Sequence, residues 1–217
     1  MQRRPAAEEV SHPLFARVYA RLSEGAETRG TATHRKHLLS DLAGRVVEIG
    51  AGNGLNFAHY PSTVTHVSAV EPEPSLRAHA ERAAAVAPVP VSVVAGTAAA
   101  LPLSSGDFDA VVFSLVLRSV PDQAAALSEA RRLLKPGGEL RFYEHVKGRR
   151  GGVALGQRVA DRTFWPHIAG GCHLARDTEA AILNAGFQIT HVRRFAYSPA
   201  RLLPSAPHIL GTARSPS

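Results

Sequence analysis

Residues 46–54, Val46-Val47-Glu48-Ile49-Gly50-Ala51-Gly52-Asn53-Gly54, form an apolar run that ends in three glycines alternating with small residues. No other stretch constrains the fold as strongly. Alternating glycines let the backbone turn sharply and approach a ligand with no side chain in between. Placed straight after a buried strand, such a turn opens a strand–turn–helix unit of an α/β sheet, the place where such sheets hold an adenosine group. Glu71 ends the next apolar run, seventeen residues after Gly54. That spacing fits one strand–turn–helix–strand unit, with Glu71 set to accept hydrogen bonds from a ribose.

The rest of the chain repeats this rhythm. Apolar residues recur at helical spacing from Pro13 to about Leu42, and Glu24-Gly25-Ala26 is expected to split them into two helices. Strands are expected at 45–49, 66–70, 91–94, 108–113 and 139–144. Helices are expected from Leu55 to about Tyr60, over 75–86, and over 123–134, the last stopped by Lys135-Pro136-Gly137-Gly138. A helix over 177–185 and strands over 187–194 and 208–213 follow. Alternating strands and helices predict an open, mostly parallel α/β sheet in one domain. Residues 1–43 would be an N-terminal helical cap, 44–146 the cofactor-binding core, and 147–217 a cap insertion with closing strands.

Composition narrows the setting. One cysteine, Cys172, excludes an intramolecular disulfide framework and points to a reducing, cytoplasmic compartment. The N-terminus lacks a signal-peptide pattern, and no run approaches the roughly 18 apolar residues of a membrane span. The net charge of +7 is unevenly spread. Residues 1–37 carry seven Lys/Arg against four Asp/Glu, 38–146 eight against eleven, and 147–217 ten against three. No dense basic block marks a nucleic-acid surface, although basic ends are compatible with peripheral contact to an anionic membrane. The eleven histidines show no metal-ligand spacing, so no metal is expected.

Glu48–Gly54, Glu71, the loop Gly96…Leu101-Pro102, Phe108-Asp109-Ala110-Val111-Val112 and Leu134-Lys135-Pro136-Gly137-Gly138, in this order, resemble the class I S-adenosylmethionine-dependent methyltransferases. A nicotinamide-binding turn would place its third glycine one residue later. The resemblance implies a seven-stranded Rossmann-like sheet with an antiparallel last strand, and S-adenosylmethionine as cofactor with S-adenosylhomocysteine as product. It puts Gly50, Ala51 and Gly52 under the methionine and ribose portion, Glu71 on the ribose hydroxyls, and Gly96, Thr97 and Ala98 along the adenine. Thr97 stands where many relatives have an acidic residue. Glu48, Asn53, Gly54, Asn56 and Pro72 are counted with the cofactor-binding set, and Ser114 and Leu115 should face cofactor and acceptor.

Leu115–Val120, Glu144-His145-Val146, Trp165, Gly171–Arg176 and Pro207-His208-Ile209 are similar to a narrower branch, which contains the membrane-anchored alkyl-thiol methyltransferases. This likeness implies a small, apolar thiol or hydroxyl acceptor; the missing N-terminal apolar anchor argues against stable membrane insertion. The run after the fourth strand, Ser114 to Asp122, lacks the Asn/Asp-Pro-Pro-aromatic sequence of base-amino methyltransferases, which argues against nucleic acid as acceptor. Tyr19, Arg118, Trp165 and Cys172 are assigned to the acceptor side, with Phe164 and Tyr197 as further pocket-lining candidates. His145 is the first candidate for an acceptor-side base, because its unperturbed pKa near 6.5 suits proton removal at neutral pH; His173 is the second. Phospholipid or amine N-methylation at a membrane surface, and a silent methyltransferase-like binding module, are the rival readings.

Overall fold

The structure, a computed structural model, describes residues 13–148, 173, 176–198 and 205–216. Seven strands lie in one sheet: β1 Gly44–Ile49, β2 Val64–Val70, β3 Val91–Val94, β4 Phe108–Ser114, β5 Leu134–His145, β6 Gln188–Tyr197 and β7 Ala206–Arg214. Their order is β3-β2-β1-β4-β5-β7-β6, parallel except for β7, which runs antiparallel to both neighbours. The open, mostly parallel seven-stranded sheet with an antiparallel last strand is as the sequence predicts.

Strand periodicity sends alternate residues to two faces. Val47 and Ile49 of β1 pack with Val111, Phe113, Leu140 and Phe142 beneath α4 (Gln123–Leu133) and α5 (Thr178–Asn184). Val46 packs with Val67, Ala69, Val112 and Tyr143 beneath α2 (Ala32–Leu39) and α3 (Pro74–Ala84). Each of three helices starts on an acidic cap: Glu73 accepts from Leu76 N–H, Asp122 from Ala124 and Ala125 N–H, and Asp177 from Ala180 N–H. Pro74 adds a preset φ at the start of α3.

Three local expectations are corrected. The N-terminal helices do not part at Glu24-Gly25-Ala26: α1 runs Pro13–Ala26, and the break is a wide turn over Glu27–Thr31, where Gly30 takes φ +117°. After the glycine turn only a 3-10 turn forms, Phe57–His59, because Pro61 forces Tyr60 to extended backbone. Lys135–Gly138 ends α4 as expected but lies inside β5 as a bulge. While β4 advances from Phe108 to Ala110, β5 advances from Leu134 to Glu139, with Gly137 at φ +71°. Trp165, Phe164, Cys172 and nearly all of the expected cap insertion lie outside the described residues.

Candidate active site

β1 and β4 are neighbours in the middle of the sheet, while the chain leaves β1 toward β2 and leaves β4 toward β5. The loops beyond their C-terminal ends therefore diverge, and a crevice opens where open α/β sheets bind ligands. Gly50, Gly52 and Gly54 line its β1 side with φ of 71°, 58° and 79°, a left-handed path that only glycine follows freely. A Cβ on Gly50 would also stand 2.7 Å from Val116, so the loop after β4 closes onto this glycine. The N–H groups of Gly50 and Ala51 are tied to Val70 O at 2.8 and 3.1 Å.

Glu71 completes this wall. Its carboxylate accepts from Gly52 N–H (2.8 Å) and Glu73 N–H (3.0 Å), which fixes one lone pair on each oxygen and leaves the others for a ligand. Burial raises its pKa, and the two amide hydrogen bonds oppose that shift. Tyr19 of α1 faces Gly52, its ring 3.5 Å from where a Cβ would sit. Asn53 donates to Ser23 Oγ of α1 at 3.2 Å, so the turn is roofed by the N-terminal helix. Beyond β3, Gly96 packs against Val70 and Pro102, and Thr97 bridges to Ala100, which holds 96–98 as a short loop at the same sheet edge. Pro72 sits beside Glu71, its carbonyl accepting from Arg77 at 3.2 Å.

Glu48 and Asn56 differ from expectation. Both are enclosed, at 2% and 0% exposure, and their polar atoms are committed to protein partners instead of being turned to a ligand. Glu48 accepts from Asn56 Nδ2 (2.8 Å) and Tyr60 Oη (2.7 Å). Its pKa is raised to about 7 by burial, partly offset by those hydrogen bonds and by Arg35. Arg35 of α2 extends the network, donating to Glu27 Oε1 (2.8 Å), Asn56 Oδ1 (2.7 Å) and Ser114 Oγ (3.1 Å). The end of β4 is thereby joined to the foundation of the glycine turn. Arg35 was missed by sequence reasoning; on a helix reading His34-Arg35-Lys36-His37 it looks like one more solvated cation.

Beyond Ser114, Leu115 takes φ +62°, a strained conformation for a non-glycine residue of the kind that gathers at functional sites. Glu144 holds this loop by accepting from Val116 and Leu117 N–H, both at 2.9 Å. Burial raises the Glu144 pKa to about 7 against these bonds and the pull of Arg118. His173 N–H donates to Arg118 O at 2.9 Å and brings the far segment onto the same loop.

Next to it stands an aromatic group drawn from four elements. His34 of α2 lies 5.5, 4.5 and 4.9 Å (ring centroids) from Tyr143, Phe195 and Tyr197. His208 of β7 lies 5.3 Å from His145 and 5.7 Å from both Tyr143 and Tyr197. Tyr197 Oη pairs with Thr31 at 2.8 Å. His145 therefore occupies the expected edge, where burial, then Arg118 and His208, lower its pKa to about 3. His208 is likewise lowered to about 4, chiefly by burial. The sequence signal for this group was the aromatic or imidazole side chain at every second position in 143–145 and 195–197. Among the described residues, no three His, Cys, Asp or Glu side chains cluster as metal ligands, and no helix is long and apolar enough to cross a membrane.

Comparisons with known proteins agree with this geometry. A family described as a methyltransferase domain matches residues 47–142. The chain is 37% identical over 172 residues to thiol S-methyltransferase TMT1B of Rattus norvegicus, covering 77% of this chain and 69% of that protein. It is 36% identical to the Homo sapiens protein of the same name, covering 81% and 73%. An S-adenosylmethionine-dependent methyltransferase from Mesorhizobium loti superposes with TM-score 0.63 at 22% identity, over 89% of this chain and 100% of that one. The [4+2]-cyclase SpnF superposes with TM-score 0.64 at 21% identity, over 84% and 78%, so fold alone does not fix the reaction. With the glycine turn, Glu71 and these relatives together, the chain belongs to the class I S-adenosylmethionine-dependent methyltransferases, in their thiol-methyltransferase-like branch.

Proposed function

We propose that this enzyme methylates a small, apolar thiol, with a hydroxyl acceptor second, in a reducing, cytoplasmic setting. The observation that carries this reading is the group Tyr143, Phe195, Tyr197, His34 and His208 beside the loop after β4. Its imidazoles are held neutral by burial, so it offers an apolar acceptor an uncharged lining. Arg118 and Arg193 flank it, which disfavours a protonated amine. The thiol S-methyltransferase relatives support sulfur as the nucleophile.

The residues present fit S-adenosylmethionine: left-handed glycines open the backbone, and Glu71 keeps free lone pairs at the turn. The bound cofactor supplies a methyl group already activated on a sulfonium. Glu71 would hold the ribose hydroxyls, Gly50 to Gly52 would pass beneath the methionine portion, and residues 96–98 would border the adenine. Ser114 and Leu115 would separate cofactor from acceptor, with Tyr19 closing over both. Alignment of the nucleophile is then the main task, worth roughly 7–11 kcal/mol of barrier.

Calorimetric titration with S-adenosylhomocysteine should show binding that Glu71→Gln weakens about 10- to 100-fold, the loss of a charge-assisted hydrogen bond. A methyl-transfer screen over thiols, phenols, carboxylates and amines should give turnover with apolar thiols. Turnover confined to amines would overturn the choice of nucleophile.

A further inference from the structure

Among the described residues, four buried side-chain atoms lack a hydrogen-bond partner: Arg118 Nε, Tyr143 Oη, Glu144 Oε2 and His145 Nδ1. Three are consecutive residues at the end of β5, and the guanidinium of the fourth acts electrostatically on all three and on His208. Buried polar groups are nearly always paired, so these orphans ask for a partner; Tyr143 and His145 share one face of β5, Glu144 takes the other, and the Arg118 charge is felt by all three. They adjoin the aromatic group and the strained Leu115, on the acceptor side of the crevice.

The chemistry of the four atoms limits the partner. Arg118 Nε is a fixed donor carrying positive charge, and the Tyr143 hydroxyl donates or accepts. The imidazoles of His145 and His208 stay neutral and add no competing charge. Arg193 approaches from β6, its guanidinium over the Phe195 ring, while Arg35 is already engaged by Glu27, Asn56 and Ser114. Glu144 is the acid at the end of β5, and one of its oxygens is bound to the Val116 and Leu117 amides. A small anion with an apolar body matches the donors of Arg118 Nε and Tyr143 Oη; Glu144 Oε2, an acceptor on the other face of β5, is not part of that match.

We propose that Arg118 receives the acceptor as its thiolate, the sulfur facing the guanidinium and the apolar body lying against Tyr143 and His208. The inference rests on the thiol reading above. The thiol proton leaves to solvent before the sulfur is enclosed, so His145 need not act as a base. A sulfur lone pair then forms the new S–CH3 bond as the sulfonium's S–CH3 bond breaks, and that electron pair stays on the cofactor sulfur. Both products are neutral thioethers, so the attraction that held the acceptor disappears with the reaction and favours release.

The test uses the whole enzyme saturated with S-adenosylhomocysteine and thiophenol as probe, following the ultraviolet thiolate band against pH. Bound thiophenol should ionise about 1–3 pH units below the free thiol, as expected for an opposite charge close by. Arg118→Met should abolish that shift and weaken thiophenol binding at least tenfold, while binding of the neutral product thioanisole changes little. S-adenosylhomocysteine affinity reports whether the variant is folded. Should the Met variant lose it, Arg118→Gln, which keeps a polar N–H but no charge, must remove the shift in its place. An undiminished shift in a folded neutral variant overturns the proposal. Wild-type turnover of thiols with no shift would sink the role of Arg118 alone; absence of any thiol turnover would sink the reading beneath it.

Discussion

Arg35 is 6% exposed, and its guanidinium divides its N–H groups among a carboxylate, an amide and a hydroxyl from three separate segments. Removing it would strand Asn56 Oδ1 and take the cation away from both Glu27 and Glu48. Arg35→Met should therefore cost about 3–5 kcal/mol in urea unfolding, the penalty of breaking a buried pair. Arg35→Lys, which keeps charge but lacks the fork, should recover only part of it. A loss below 1 kcal/mol for the Met variant would mean that the network contributes little. The contrast with Glu71 shows what a sequence can reveal at this scale. That Glu71 meets the glycine turn was legible because a short spacing links the two, and its carboxylate does accept from Gly52 N–H. Arg35 finds Asn56 and Ser114 at separations of 21 and 79 residues, and nothing local to α2 encodes either meeting.

At the level of elements, the N-terminal bend shows which glycine does the bending. Gly25 remains inside α1 with open surroundings, its nearest neighbour a flexible arginine end at 3.5 Å. Gly30 sits at φ +117° with Tyr197 3.7 Å from where a Cβ would stand. Gly30→Ala should lower stability by about 1–3 kcal/mol. Gly25→Ala should raise it by about 0.4–1 kcal/mol through the unfolded chain and helix propensity. Equal effects in denaturant midpoints would contradict the observed bend. The strands and the helices α3, α4 and α5 were legible within a few residues because apolar periodicity and acidic caps are local signals. The bend was misplaced because two glycines five residues apart look alike until Tyr197, from the far end of the chain, is brought beside one of them.

Across the whole molecule, opposing titrations should nearly cancel. Glu48, Glu71 and Glu144 have raised pKa values in the folded state, chiefly through burial. They bind extra protons on folding, so their contribution to stability falls as pH rises from about 4.5 toward 7. His34, His59, His145 and His208 have lowered values, again chiefly through burial, so theirs falls as pH drops below 6.5. Between about pH 5 and 6.5 the two sets oppose each other, and the unfolding free energy should be close to flat. Glu48→Gln should tilt it to rise with pH, and His145→Phe to fall, each by about 1.4 kcal/mol per pH unit for one uncompensated proton. Chemical denaturation at several pH values would decide, and parallel profiles for wild type and both variants would be the contrary result.

The place of β7 between β5 and β6 carries a consequence for how the molecule is made. β3, β2, β1, β4 and β5 have all their mutual pairings within residues 44–145, so the cradle for the cofactor depends on chain that leaves the ribosome early. β6 emerges next but has no strand to join until Ala206–Arg214 arrives and bridges it to β5. Phe195, Tyr197 and His208 then reach Tyr143 together. During synthesis, the half of the site proposed to hold the methyl donor would thus be finished first, and the half proposed to choose its recipient would be sealed once β7 arrives.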